Sequence, residues 1–218
     1  IIGLGRQSGV GQWSPNCAVT VRNSLFRYFD TSSGSGESSG LGSSSCNFLG
    51  AAVYLNACGG TLENKVVTTL ARAANEAGWV SVRPNFRGVG MSDGEFDAGV
   101  GETEDLLAVA QYAMPRFETQ ALLLAGFSFG SFVQTRVAKR ITCERMVLVG
   151  PAVGRFPAES VPGNTLVIHG ERDDVVPLSA VFDWARPQNL PVVVVPGGEH
   201  FFHGRLNLLA QIVTRGCA

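Results

Sequence analysis

From residue 59 onward, short apolar runs alternate with longer stretches in which apolar residues recur every three or four positions. The short runs predict buried strands at residues 79–82, 121–125, 146–149, 165–168 and 192–195. The longer stretches predict helices, with apolar pairs at Val66 and Leu70, Leu106 and Ala110, Val133 and Val137, and Leu206 and Leu209, and a short helix at 181–186. Strands that alternate with helices build a largely parallel sheet covered on both faces. The pattern therefore predicts an α/β fold with a doubly wound, mostly parallel central sheet, in a single domain over residues 1–218.

The first fifty residues follow a different pattern. Alternating residues at 17–23 predict a strand, and residues 25–29 predict its hairpin partner. Between Thr31 and Cys46, 12 of 16 residues are Ser or Gly, which predicts a flexible surface loop over 31–46. Residues 51–55 then predict a further strand.

The connection between two of the predicted strands is too short for a lid domain. Only residues 151–164 separate the strand that ends at Val149 from the one that begins at Thr165. We therefore expect an open, lidless site, which suits small or protruding substrates better than long buried lipid chains.

Composition narrows the class of protein. The chain has 218 residues, of which 45% are hydrophobic and 16% charged, with a formal net charge of −1, as is typical of a compact globular protein. This balance gives no reason to expect nucleic acid or an anionic membrane as a partner, and no apolar stretch reaches the ~20 residues of a membrane span. The first residues lack a secretory signal, so the expected compartment is the cytoplasm, although a chain that begins at Ile1 can be part of a longer product. Five scattered cysteines without a C-x-x-C pair disfavour a disulfide framework or a zinc site.

The strongest candidate for chemistry is the serine in residues 126–130, Gly-Phe-Ser-Phe-Gly. An apolar strand precedes this pentapeptide and a helical pattern follows it, so Ser128 lies at a sharp strand-to-helix turn, where a serine is usually a nucleophile. A Cβ atom two residues before or after the serine would collide with neighbouring backbone, which explains Gly126 and Gly130. The same motif around Ser38 has no strand or helix beside it and is set aside.

A serine nucleophile needs a base to take its proton and an acid to orient that base. Asp173 and Asp174 follow one predicted strand, and His200 follows the next. Because the carboxyl ends of parallel strands meet at one edge of a sheet, these groups are expected near Ser128. The chain order Ser, Asp, His is that of the α/β-hydrolase type rather than that of the two well-known protease types.

Five blocks in this order resemble the α/β-hydrolase superfamily, and more closely its small lidless bacterial serine hydrolases of the esterase and dienelactone-hydrolase kind. The blocks lie at residues 59–65, 85–97, 126–130, 169–173 and 199–203, so the resemblance covers roughly residues 59–209. It implies a hydrolase with Ser128 as nucleophile and His200 as general base and then general acid. It also implies that Asp173, three residues after Gly170, is the orienting acid.

Each role has a competitor within the chain. Asp174 competes with Asp173 as the acid, and both are also compatible with a solvated acidic turn. His169 ends a buried strand and is expected to be packed or bonded to backbone, whereas His203 is expected to begin the final helix as a site wall or a cap. A metal site on His200, His203 and Asp173 is disfavoured, because no H-E-x-x-H or cysteine spacing accompanies it.

Acyl transfer also needs N–H donors for the developing oxyanion. One expected donor is the backbone N–H of Phe129, and the other is the backbone N–H of Asn56 or Ala57, after the preceding strand. Here the chain departs from the family it resembles, which has a His-Pro-rich segment where this chain has Val-Tyr-Leu-Asn-Ala-Cys at 53–58. The abrupt loss of resemblance before Gly59 raises the hypothesis that the sequence over residues 1–58 is unreliable, and peptide mass spectrometry that covers these residues in full would refute it.

The loop after the first of the five predicted strands holds glycines and acids that are compatible with two further kinds of site. Arg87-Gly-Val-Gly lacks the third glycine of a dinucleotide motif, so turn formation explains it better than a nucleotide cradle. The acids Asp93, Glu95, Asp97 and Glu102 lack the ligand order of a calcium loop, so a solvated loop is expected. Arg87 is expected to tether one of these acids rather than to clamp substrate. We therefore expect neither a cofactor nor a metal.

These inferences point to a hydrolase of small carboxylic esters that works through an acyl-enzyme on Ser128, with a small-molecule ester as its partner. A thioesterase or an amide hydrolase would use the same residues. The alternative from another class is a hydrolase-like binding or scaffold protein that does not turn over ester.

Overall fold

The computed structural model describes residues 29–30, 50–55, 64–90, 92–116 and 121–217, with backbone only at 29–30, 50–55, 80 and 116. Its strands are β1 (Phe29–Asp30), β2 (Gly50–Leu55), β3 (Trp79–Pro84), β4 (Leu122–Phe127), β5 (Arg145–Val149), β6 (Thr165–Gly170) and β7 (Val192–Val195). Its helices are α1 (Lys65–Glu76), α2 (Val100–Arg116), α3 (Phe129–Val137), α4 (Leu178–Ala185) and α5 (Leu206–Cys217), and a 3₁₀ turn (Arg186–Gln188) follows α4.

The described strands form one sheet in the order β1-β3-β2-β4-β5-β6-β7. β1 pairs with β3 in the antiparallel direction, and the other pairings between these strands are parallel. The chain winds outward from β2 to β3 and then, from β4 to β7, in the opposite direction across the sheet. The prediction of a doubly wound, mostly parallel α/β fold is therefore confirmed.

β4 lies at the centre of the core, and its six residues are all buried. Successive side chains of a strand point to opposite faces of the sheet. Leu123, Ala125 and Phe127 accordingly pack with α1 and α5, whereas Leu122 and Leu124 pack with α2 and α3. Apolar layers on both faces thus fix the strand, and with it the turn that follows.

Two helix boundaries differ from the sequence predictions. α4 begins at Leu178 rather than at residue 181, directly after Pro177, whose ψ of 133° lies outside the helical range. α5 begins at Leu206 rather than at His203, because Gly204 has a φ of 68° that a right-handed helix does not contain.

The connection over residues 151–164 contains an isolated bridge between Val153 and Phe156 and no helix, so it forms no lid, as predicted. No helix in the described part of the chain is long and apolar enough to cross a membrane. The strand predicted at 17–23, most of its hairpin partner and the Ser/Gly tract at 31–46 lie outside the described residues. The single domain over 1–218 stays a prediction.

Candidate active site

Ser128 occupies the turn between β4 and α3. Its backbone has φ 54° and ψ −120°, a strained conformation for a residue with a side chain. The turn is so tight that a Cβ on Gly126 would lie 2.6 Å from the carbonyl carbon of Gly130. The N–H of Ser128 donates to the carbonyl of Val149 at 2.9 Å, which ties the turn to β5. The adjacent strand thereby holds the half-buried serine in its strained conformation.

Three of the predicted site residues meet at the carboxyl ends of β4, β6 and β7. The hydroxyl of Ser128 lies 3.0 Å from Nε2 of His200, and Nδ1 of His200 lies 2.7 Å from Oδ2 of Asp173. The side chains of His200 and Asp173 are 4% and 0% exposed. A buried imidazole with a carboxylate on one nitrogen and a hydroxyl on the other can accept the hydroxyl proton.

Main-chain donors fix Asp173. Its Oδ1 accepts hydrogen bonds from the N–H groups of Val175 at 2.9 Å and Val176 at 2.8 Å, which leaves Oδ2 to His200. Burial by itself would raise the pKa of this carboxyl, but the hydrogen bonds from His200 and Val176 bring the pKa below its ordinary value. Asp173 is therefore ionised at neutral pH, whereas Asp174 is exposed and lies outside this network.

The ionised carboxylate determines which nitrogen of His200 carries the proton. An ionised carboxylate only accepts hydrogen bonds, so Nδ1 of a neutral ring must be the N–H that faces Asp173. Nε2 then has a free lone pair directed at the Ser128 hydroxyl. This is the tautomer that a general base for serine requires.

His169 supports the turn that carries Asp173. Its side chain is fully buried, and Nε2 lies 2.9 Å from the carbonyl of Val176 and 3.6 Å from Oδ2 of Asp173. Because a carbonyl only accepts, Nε2 carries the proton, while Nδ1 has no hydrogen-bond partner among the described residues. Burial lowers the pKa of His169, so its ring is neutral at pH 7. The expectation of a packed, backbone-bonded histidine is confirmed, and the structure adds its contact with the turn that carries Asp173.

His203 does not join the site. It lies in the turn before α5 with its side chain 63% exposed, and its Nδ1–H donates to Oε1 of Glu199 at 2.7 Å. The expectation that it begins or caps the final helix is wrong, because the helix begins beyond Gly204. A role as a site wall stays a prediction. Over the described ranges, no group of His, Cys, Asp and Glu side chains is arranged to hold a metal ion.

The first N–H of α3 belongs to Phe129, directly after the serine. It has no backbone acceptor within the described part of the chain, and a free N–H at the start of a helix attracts negative charge. The other expected oxyanion donors, the N–H groups of Asn56 and Ala57, lie outside the described residues. β2, which leads to them, ends at Leu55 in register with Gly126.

Two buried acids on α2 fix the loop between β3 and α2. Glu102 is fully buried and accepts hydrogen bonds from the N–H groups of Asp97 at 2.9 Å and Gly99 at 2.8 Å. Arg87 donates two hydrogen bonds to Asp105, at 2.7 and 2.9 Å, which raise the pKa of its guanidinium. Arg87 therefore tethers an acid rather than standing free, but that acid is Asp105 and not one of the four loop acids expected from the sequence, of which Asp97 lies 3.9 Å from the guanidinium. The expectation of a solvated loop is wrong for Glu102, whose carboxylate bonds to backbone donors in place of water.

Comparisons with known proteins find similar sequences and structures, although no family model matches the chain. An uncharacterized protein of Rickettsia prowazekii is 29% identical over 179 residues, 71% of each chain. The chain is similar to the structure of an α/β serine hydrolase homologue from Coxiella burnetii, with 32% identity over 96% of this chain and 100% of that chain, and a TM-score of 0.81. It is also similar to an α/β serine hydrolase without a lid from Xanthomonas campestris, with 33% identity over 95% of this chain and 96% of that chain, and a TM-score of 0.79.

Proposed function

Because the chain belongs to the α/β-hydrolase superfamily, we propose that it is a serine hydrolase that cleaves small carboxylic esters through an acyl-enzyme on Ser128. The observation that carries the proposal is the continuous hydrogen-bond chain from the Ser128 hydroxyl through His200 to Asp173. The serine hydrolase homologue from C. burnetii and the serine hydrolase from X. campestris, at 32% and 33% identity, support a hydrolytic reaction. A fold alone determines neither reaction nor substrate, so the choice of reaction depends on the geometry of these side chains.

Acylation begins when the Ser128 oxygen attacks the carbonyl carbon of the ester and its proton moves to Nε2 of His200. The imidazolium that forms lies 2.7 Å from the buried carboxylate of Asp173, which stabilises its positive charge. Since the carboxylate is already oriented by two main-chain donors, it needs no rearrangement as this charge develops.

The carbonyl oxygen becomes an oxyanion in the same step. Its first donor in this proposal is the N–H of Phe129, at the start of α3, and one such donor contributes about 3–4 kcal/mol to transition-state stabilisation. The N–H of Asn56 or Ala57 is the proposed second donor.

The tetrahedral intermediate collapses when the bond to the leaving oxygen breaks and His200 gives that oxygen its proton. The alcohol leaves, and the acyl group stays on Ser128. A water molecule then attacks the acyl carbon while His200 takes a proton from it. In the second collapse the bond between the acyl carbon and the Ser128 oxygen breaks, His200 returns its proton to that oxygen, and the carboxylic acid is released.

Small esters suit this site, because the described connection over residues 151–164 forms no helix that covers it. We propose short acyl chains as the preferred substrates. Thioesters and amides would follow the same steps with a different leaving group.

A fluorophosphonate probe and a series of p-nitrophenyl esters from short to long acyl chains test the proposal. We expect the wild type to be labelled and to hydrolyse the short esters. Ser128→Ala and His200→Ala should lower kcat about 10⁴-fold or more. His203→Ala is the matched histidine control, since His203 is exposed and bonded to Glu199, and it should keep the wild-type rate.

Two results would contradict the proposal. A folded wild-type protein that is not labelled and hydrolyses no ester is not a serine hydrolase, and ester binding without turnover would favour the binding or scaffold protein instead. A rate maximum at long acyl chains would contradict the preference for short ones.

A further inference from the structure

An apolar cleft of about 420 Å³ adjoins the turn that carries the proposed nucleophile. Phe86, Phe96 and Phe129 line it, and Phe129 directly follows Ser128 in the chain. Phe96 is 55% exposed, although an aromatic ring usually lies in the core. The catalytic steps proposed above use none of these rings, so the cleft is available to the part of the substrate that does not react.

The strand order puts this cleft and His200 on opposite sides of Ser128. Phe86 follows β3, Ser128 follows β4 and His200 lies beyond β7. In the sheet, β3 and β7 lie on opposite sides of β4. His200 must protonate the leaving oxygen, so the leaving group lies toward β7. The acyl group, on the other side of the carbonyl carbon, is then directed toward β3 and the cleft.

We propose that this cleft binds the acyl group of the substrate and selects neutral aryl-acyl groups such as phenylacetyl, an inference that rests on the ester hydrolysis proposed above. Its volume is within the range of about 300–1,000 Å³ for ligand pockets, and a cavity of about 150 Å³ already holds benzene. The ring of Phe129 lies 5.4 Å from that of Phe86, edge to face, and 5.2 Å from that of Phe96. A substrate ring can join this group in the edge or offset geometry that aromatic rings prefer.

The wall that carries Phe96 is held in position before any substrate binds. Glu102 accepts hydrogen bonds from the N–H groups of Asp97 and Gly99, directly after that ring. A Cβ on Gly99, whose φ is 92°, would lie 2.5 Å from the ring of Phe132, so the loop packs tightly there. A wall that is already ordered loses less conformational entropy on binding than a mobile one.

The charges around the cleft favour a neutral acyl group over an anionic one. Glu95 lines the cleft and is exposed, and Asp97 in the same loop is also exposed. Arg87 is the cation among the described lining residues, and its guanidinium is engaged by Asp105. An acyl group with its own carboxylate would therefore meet negative charge without an available cation.

The ratio of kcat/KM for p-nitrophenyl phenylacetate to that for p-nitrophenyl acetate tests the inference. Phe96→Ala should lower this ratio about two- to tenfold, the effect of one aromatic pair. Phe201→Ala is the matched control, because it removes another exposed ring, 45% exposed, that lies against His200 on the leaving-group side. Both esters have the same leaving group, so this control should not change the ratio. Glu95→Gln should raise the rate on mono-p-nitrophenyl glutarate relative to the acetate.

A binding measurement separates this inference from the proposed function. Methyl phenylacetate is titrated into Ser128→Ala and into the same variant with Phe96→Ala, and binding is followed by NMR. If the wild type shows no turnover and no labelling, but Phe96→Ala weakens this binding, the result supports the cleft as an aryl-binding site and contradicts the proposed ester hydrolysis. If the wild type is active but Phe96→Ala changes neither the ratio nor the binding, the cleft is not the acyl site. If binding and turnover are both absent, both ideas are overturned.

Discussion

Replacing Asp173 with asparagine should reverse the tautomer of His200. Oδ1 of Asp173 faces the N–H groups of Val175 and Val176, so the oxygen of the new amide must take that position. The amide NH₂ then faces Nδ1 of His200, which must accept a hydrogen bond. The ring proton moves to Nε2, 3.0 Å from the Ser128 hydroxyl, where it prevents proton transfer from the serine.

The main-chain donors around residue 173 also prevent the new amide from flipping by 180°. A flipped amide would set its NH₂ against two main-chain donors, and each hydrogen bond lost in such a buried position costs about 1–3 kcal/mol. A triad with the wrong tautomer loses about 10⁴-fold in rate. At 1.36 kcal/mol for each factor of ten, this loss corresponds to about 5.4 kcal/mol of transition-state stabilisation.

Asp174→Asn is the matched control, since it makes the same chemical change at the adjacent, exposed carboxylate. We expect kcat/KM for p-nitrophenyl acetate to fall about 10⁴-fold in Asp173→Asn and to stay within about twofold of wild type in Asp174→Asn. Thermal unfolding of both variants checks that they remain folded. A tenth of the wild-type rate in Asp173→Asn, or a larger loss in Asp174→Asn, would contradict the predicted change of tautomer.

Three further substitutions test the framework around the site. Gly126→Ala should destabilise the protein by about 1–3 kcal/mol and slow fluorophosphonate labelling, because the new Cβ would overlap backbone. In the control Gly163→Ala nothing lies within 4 Å of the new Cβ, so stability and labelling rate should stay at the wild-type values. Glu102→Ala should lower the free energy of unfolding in urea by about 2 kcal/mol, since two main-chain donors lose their acceptor. Glu104→Ala, which removes an exposed acid, should lower it by less than ~1 kcal/mol. Equal losses in the two variants would contradict this prediction. Burial lowers the pKa of His169 in the folded protein. Below about pH 6.5 the unfolded chain therefore binds a proton at this histidine that the folded protein does not bind, so stability decreases as the pH is lowered. In His169→Gln the melting temperature should decrease less between pH 7 and pH 5 than in the wild type. An equal decrease in both proteins would contradict His169 as the origin of the acid sensitivity.

The nucleophile turn was predictable because its determinants are local. An apolar strand, two small residues and a helical pattern lie within one short stretch around Ser128, and the structure has β4, the turn and α3 there. The choice between Asp173 and Asp174 was harder. Both residues follow the same strand. They differ in burial and in the main-chain N–H groups that bond to Asp173, and neither difference can be recognised from the identity of the adjacent residues.

The role of Glu102 was not predictable from its pattern. An acid in the first turn of a helix suits the helix dipole whether it is exposed or buried. Its burial depends on the preceding loop, which turns back and aims the N–H groups of Asp97 and Gly99 at the carboxylate. The direction of this loop depends on its backbone conformation, such as the φ of 92° at Gly99. The spacing of acidic residues in the sequence does not reveal that conformation.

Positions that hold the candidate site through main-chain groups should tolerate more change than a position that requires the absence of a side chain. Ser128 is tied to the frame by the carbonyl of Val149, and Asp173 by the N–H groups of Val175 and Val176. Every residue other than proline offers these main-chain groups, so apolar replacements of similar volume at the three valines should keep the site geometry. Gly126 contributes the absence of a side chain, which no other residue can supply. Sensitivity to mutation should therefore be greater at this glycine than at the valines whose backbone holds the proposed catalytic residues.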